Sequence, residues 1–121
     1  MDARALYLAG GEHDSNGRPV EAIELYEQAL AAGLGEPERP RLLLQLGSSL
    51  RNVGRIDEAV ALLQDARRDY PDFRPLRAFL ALALHSAGRP EDALAELLNA
   101  IADEGDYERS LRAYAAALAR R

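Results

Sequence analysis

The chain has 121 residues, 48% of them hydrophobic and 29% charged, with a formal net charge of -5, which reads as one globular domain rather than a disordered segment. It has no cysteine, which excludes a disulfide frame, a thiolate nucleophile and a cysteine metal site; its acidic balance disfavours nucleic acid, whose phosphates are bound mainly by basic patches. No stretch approaches the roughly 18 apolar residues of a membrane span, and all 15 basic residues are arginine, which with the abundant alanine suggests a GC-rich genome.

Helical periodicity runs through almost the whole chain. The start, "MDARALYLAGG", carries an acid at Asp2 and only a short apolar run. It reads as part of a first helix over 2–16 and not as a secretory signal, so a cytoplasmic location is the default expectation. A second helix is expected over 19–32. "AAGLGEPERP", residues 31–40, is rich in Gly and Pro and reads as a longer loop. Leu43, Leu46, Leu50 and Val53 then keep helical spacing within 38–53, and Ile56, Val60 and Leu63 keep it within 56–69. Further helices are expected over 74–87, 90–103 and 106–120. Nothing alternates with period two over a useful length, so no strand is expected and the fold class is all-α.

The punctuation between helices repeats. Gly17, Gly54 and Gly88 open "GRPVEAI", "GRIDEAV" and "GRPEDAL". Each glycine can end a helix in the left-handed conformation. Pro19 and Pro90 suit a first helical turn, and the acids that follow complement the helix dipole. From Gly54 to Gly88 is 88 − 54 = 34 residues, and from Gly17 to Gly54 is 54 − 17 = 37. Small residues keep step with these glycines: Ala22, Ala59 and Ala93 five later, Ala29, Ala66 and Ala100 twelve later, and Gly10, Gly47 and Ala81 seven earlier.

With these registers the chain resembles the tetratricopeptide repeat family, whose unit is a helix–turn–helix of about 34 residues. "HDSNGRPVEAIELYEQAL" and "LLLQLGSSLRNVGRIDEAVALL" are similar to short bacterial members. The resemblance implies a right-handed α-solenoid of three repeats, about 3–36, 40–73 and 74–105, closed by a capping helix over 106–121. Leu6, Leu43 and Arg77 replace the family's usual early aromatic, and of its repeat-ending prolines only Pro71 is present, with Leu34 and Gly105 in the other slots. The third repeat is thus the least typical. For the cap, Asp106 is the expected N-cap. Tyr107, Leu111, Tyr114, Ala115 and Leu118 make its apolar stripe, and Arg109, Arg112, Arg120 and Arg121 are expected in water.

Catalytic constellations are thin, and no catalytic, cofactor or metal site is expected. His13 and His85 are the only histidines; His13 falls in a core-facing slot matched by Leu50 and Leu84, and His85 on the inner surface. "HDS", residues 13–15, is no triad, because adjacent helical residues diverge. Glu21, Glu24, Glu27, Glu58, Asp65, Glu91, Asp92 and Glu96 read as a solvated outer face on second helices. The resemblance places first helices on a concave face. There, Arg41, Gln45, Ser48, Arg51 and Asn52 form one polar strip able to grip a peptide backbone or a carboxylate. The matching residues are Arg4, Tyr7, Gly11 and Asp14 on the first helix, and Ala78, Phe79, Leu82 and His85 on the fifth. The clamp with which some family members hold acidic chaperone tails would fall at Tyr7, Gly11, Gln45, Pro75 and Phe79. None of these is basic, so no chaperone-tail binding is expected.

The leading expectation is therefore a non-enzymatic module that binds a protein or peptide in the concave groove, since repeats build extended surfaces rather than deep catalytic pockets. A second is a self-associating unit, a homodimer whose open first repeat pairs through Leu6, Tyr7 and Leu8. An enzyme is the least favoured reading.

Overall fold

The computed structural model describes residues 1–103 and 105–120; Arg121, expected in water, lies outside them. Among the described residues there are seven helices and no strand: α1 (Ala3–Ser15), α2 (Pro19–Ala31), α3 (Glu38–Asn52), α4 (Ile56–Asp69), α5 (Pro75–Ser86), α6 (Pro90–Ala102) and α7 (Glu108–Ala119). Every boundary lies within two residues of the one read from the sequence. That agreement has a local cause in the turns. At Gly54 (φ 87°) the glycine N–H donates to the Arg51 carbonyl at 3.1 Å, and the Arg55 N–H donates to the Leu50 carbonyl at 2.9 Å. This pair of bonds satisfies two carbonyls that a helix end leaves open. The same pair recurs after α1, after α5, and at Gly33 after α2, where Leu34 follows the glycine and is buried.

Helix starts are marked differently. Asp2 caps α1 by accepting from the Ala5 N–H at 2.8 Å. Pro opens α2, α5 and α6, where its fixed φ suits a first turn and its missing N–H costs nothing. Asp106 does not cap α7: the residue before that helix is Tyr107, and no side chain caps it.

Sequential helices pack as antiparallel neighbours, and α1, α3 and α5 also touch one another in series, whereas α2, α4 and α6 do not approach at the backbone. The stack therefore has an inner layer of first helices and an outer layer of second helices, a helical-repeat solenoid. Its core runs through Tyr26, Leu42, Leu46, Leu63, Leu76 and Leu80, all fully buried. Two hairpins are drawn together by a small residue under a large one. A Cβ added at Gly10 would stand 2.6 Å from Tyr26 Cε1, and one added at Gly47 would stand 2.5 Å from both Cγ and Cδ2 of Leu63.

The seventh helix departs from the series. Among the described residues it packs on α6 and on no other element, whereas α3 and α5 each rest on both helices of the hairpin before them. Its apolar stripe is accordingly split. Ala115 is buried and Leu111 and Leu118 are half-buried, while Tyr107 and Tyr114 stay 75% and 67% exposed. The expected cap is present as a helix but does not cover the end of the stack.

The crossing at Gly47 yields a paired test. Gly47→Ala drives a methyl into the branch point of Leu63, an overpacking that costs about 1–3 kcal/mol, enough to outweigh the roughly 1 kcal/mol of helix propensity gained. Gly11, with nothing within 4 Å of its added Cβ, keeps only the propensity gain. Urea denaturation is expected to give Gly47→Ala a lower midpoint than wild type and Gly11→Ala a higher one. Equal midpoints would contradict the close-approach account.

Candidate functional site

The inner strip centres on α3, whose opposite side buries Leu42, Leu43, Leu46 and Leu50. Arg41 and Asn52 are exposed at its two ends, and Gln45, Ser48 and Arg51 are half-buried between them. Arg51 is held in place: its Nε donates to Ser86 Oγ on α5 at 2.8 Å. On α1, Arg4 donates to Glu38 of α3 at 3.2 Å. Tyr7 is half-buried, its ring tilted on that of Tyr26 with centroids 6.4 Å apart.

Gln45 and Tyr7 thus meet at the same buried residue. The Tyr26 hydroxyl lies 3.0 Å from Asp14 Oδ2 and 3.1 Å from Gln45 Oε1. Having one proton, it donates to one oxygen at a time; turning the Gln45 amide lets its NH2 donate to the phenol instead, which satisfies both contacts. Ser49, buried on α3, donates to Asp14 Oδ1 at 3.3 Å. Burial, reinforced by the Asp14 carboxylate, pushes the Tyr26 phenol well above its ordinary range, so it remains a neutral donor. Gln45 and Asp14 are therefore committed to a seam between repeats as well as to the inner surface. The sequence reading missed Ser49. The available signals were a serine at a core slot three residues after Leu46, and a tyrosine where the next two repeats place Leu63 and Leu97. A buried phenol requires a partner.

A second polar seam crosses the third repeat and corrects two expectations. Glu96 is not on the solvated acidic face. It is buried and paired with Arg67 of α4. Burial pushes its carboxyl above the usual glutamate range, while the charges of Arg67 and Arg77 pull it back. Arg77, in the family's aromatic slot, donates to Asp103 at 3.2 Å, and its Nε is buried without a hydrogen-bond partner. Arg112 is not simply in water either: it is half-buried and pairs with Asp103 and with Glu108. These charges brace α4, α5, α6 and α7. His13, expected to face the core, is half-buried, and its Nδ1 accepts from Arg18 Nε at 2.9 Å. Among the described residues no group of three or more His, Asp or Glu side chains is arranged to hold a metal ion.

Leu82 and His85 are brought to a different place from Arg41 and Asn52. With Ala78 on α5, and with Leu94 and Leu97 on α6, they line an open groove of about 610 Å³. This groove is strongly apolar, with His85 its only titratable side chain. Phe79 is half-buried and packs against the core.

Glu96 generates a pH-dependent prediction. A carboxyl whose folded pKa is raised takes up its proton more readily in the native state, so it adds stability as pH falls and loses that contribution as pH rises through the folded value. Denaturation midpoints of wild type and Glu96→Gln, compared from neutral pH down to the ordinary glutamate range, are expected to shift in favour of wild type on acidification. Parallel curves would show that Glu96 is not desolvated.

No curated protein is similar enough to the chain to count as a relative. The family model described as Tetratrico peptide repeat matches residues 3–118, a span that takes in all three hairpins and nearly all of α7. Proteins of this kind serve in general as protein–protein interaction modules and are not typically enzymes. The match and the stacked helical hairpins agree: the chain belongs to the tetratricopeptide repeat family.

Proposed function

We propose that this chain is a non-enzymatic protein-binding module and that a segment of a partner protein lies along the inner surface of its first helices. The observation that carries the reading is the state of α3. Its inner side keeps Arg41 and Asn52 exposed and Ser48 and Arg51 half-exposed, between two seams that hold the helix rigid. A guanidinium, an amide and a hydroxyl at helical spacing offer several donors to the carbonyls or carboxylates of an extended peptide. Because the helix is already fixed, little ordering cost is added on binding. Tyr7 extends the surface over α1, and Leu82 and His85 give it an apolar end at α5. The carboxylates of the second helices, apart from Glu96, supply a hydrated outer face.

The self-associating reading loses the surface first assigned to it. Leu6 is buried and Tyr7 half-buried, so only Leu8 of that trio is exposed. Among the described residues, Met1, Leu8 and Val20 are the large exposed apolar side chains at this end, while Leu82, Leu94, Leu97, Ile101, Tyr107 and Tyr114 are exposed at the opposite one.

The test is affinity capture from the native cell, identification of the captured protein, and titration of its binding segment against wild type and against Arg41→Ala, Arg51→Ala and Asn52→Ala. Side chains central to an interface each contribute on the order of 1–2 kcal/mol. At least one variant is expected to bind about fivefold to thirtyfold more weakly while circular dichroism and melting remain those of wild type. Unchanged affinity in all three would remove the inner surface from the mechanism.

A further inference from the structure

The three first helices carry different charges at the same place. Three residues before the turn glycines Gly17, Gly54 and Gly88 stand Asp14, Arg51 and His85. Arg51 and His85 are basic side chains in the last turns of α3 and α5, where a cation gains from the partial negative charge of the helix end. Asp14 puts a carboxylate in the last turn of α1 instead, where the same dipole disfavours it. What it accepts there are two hydrogen bonds from neutral hydroxyls, those of Tyr26 and Ser49. Among the described residues no arginine lies within ion-pair distance of it; Arg4, on the same helix, is taken up by Glu38. Two bonds leave a carboxylate with about half of its lone-pair sites unused, and Asp14 is only half-buried.

One turn before Asp14 the inner row has a gap. The residue there is Gly11, where the second and third repeats place Ser48 and Leu82. An added Cβ at Gly11 would meet nothing within 4 Å. Residues three and four apart are neighbours on a helix surface, so the gap is bordered by Tyr7 and Leu8 on one turn and by Asp14 on the next. Leu8 is 55% exposed, and Tyr7 is half-buried with its ring tilted on that of Tyr26.

A notch with an apolar wall at one end and an unpaired carboxylate at the other suits a side chain that is apolar along its stem and cationic at its tip. The face of a tyrosine ring adds attraction for such a cation. An anion would meet repulsion from Asp14, and an uncharged aliphatic chain would leave the carboxylate unanswered.

We propose that the Gly11 notch seats a lysine or arginine side chain of the segment bound along the inner surface, its charge against Asp14 and its stem over Tyr7 and Leu8. This rests on the reading that a partner lies along the first helices, and it gives one of that partner's side chains a chemistry. The absence of a side chain at Gly11 is what leaves the seat open.

The experiment is a nuclear magnetic resonance titration of the nitrogen-labelled chain with four capped alanine tripeptides, whose central residue is lysine, arginine, norleucine or glutamate. The lysine and arginine peptides are expected to give saturating shifts at the backbone N–H groups of Gly11 and Asp14 and at the side-chain amide of Gln45. Their dissociation constants are expected on the order of 1–10 mM, about tenfold below that of the norleucine peptide, which lacks only the charge. The glutamate peptide is expected to leave those signals in place. Gly11→Leu fills the notch without touching the bonds of Asp14 to Tyr26 and Ser49, so it is expected to abolish the lysine shifts while circular dichroism and melting show a folded chain. A lysine peptide with no saturating shift, or one no better than norleucine, would overturn the proposal. So would lysine shifts undiminished in a folded Gly11→Leu, or spread over the outer carboxylates Glu21, Glu24 and Glu27 without favour for Gly11. The tripeptides do not depend on a captured partner, so this result and that of the Arg41, Arg51 and Asn52 variants can fail separately.

Discussion

The structure depends on one contact made twice: a large side chain seated on a residue too small to hold it off. Tyr26 lies on Gly10 and Leu63 lies on Gly47, each so close that a single methyl group on the glycine would collide with it. This close approach sets how near the two helices of a hairpin come, and hence where the next first helix can rest. In the third repeat the small residue is Ala81 and the large one is Leu97, and there the series stops, with Leu97 left partly in water. A hairpin cannot bury its apolar face alone, so a stack of such units must either be capped or expose its last groove. Here α7 lies on the outer flank of α6, and the last groove is open.

Apolar packing brings the repeats together, but directed bonds set their register. The first and second repeats are joined through Asp14, Tyr26 and Ser49, the second and third through Arg51 with Ser86 and Arg67 with Glu96. A slip of α3 past α1 by one residue would leave the Ser49 hydroxyl buried without its Asp14 acceptor, at a cost of about 1–3 kcal/mol, and would part Gln45 from Tyr26. A slip among leucines alone costs far less. The polar seams therefore give the stack a single alignment, and that alignment is what holds Arg41, Ser48, Arg51 and Asn52 in one row on the inner surface.

Most of the architecture was legible in the sequence because it is encoded locally. Gly17, Gly54 and Gly88 end helices by their own backbone freedom, and Ala or Gly at fixed distances from them marks the crossings. What was not legible depends on which neighbour a helix face meets. Glu96 resembles its acidic neighbours in the one-dimensional pattern, yet the helix turns it toward Arg67. Residues 93–102 are apolar on nearly every side, with Ala93, Leu94, Ala95, Leu97, Leu98, Ala100, Ile101 and Ala102. Periodicity there cannot say which flank of α6 receives α7. The inner strip was legible as a strip, since Arg41, Gln45, Ser48 and Arg51 keep helical spacing. The engagement of Gln45 with Tyr26 was not, because it joins residues from two different hairpins.

Our proposal that a partner is recognised on the inner surface of α3 rests on the polar row of donors there and on the seams behind it. The most direct measurement is a nuclear magnetic resonance titration of the nitrogen-labelled chain with the binding segment of a captured partner. The account predicts shifts concentrated on the side-chain N–H groups of Arg41, Arg51 and Asn52 and on the backbone of α3 near Ser48. Shifts concentrated instead on the second helices, around Glu21, Glu24 and Glu58, would contradict it.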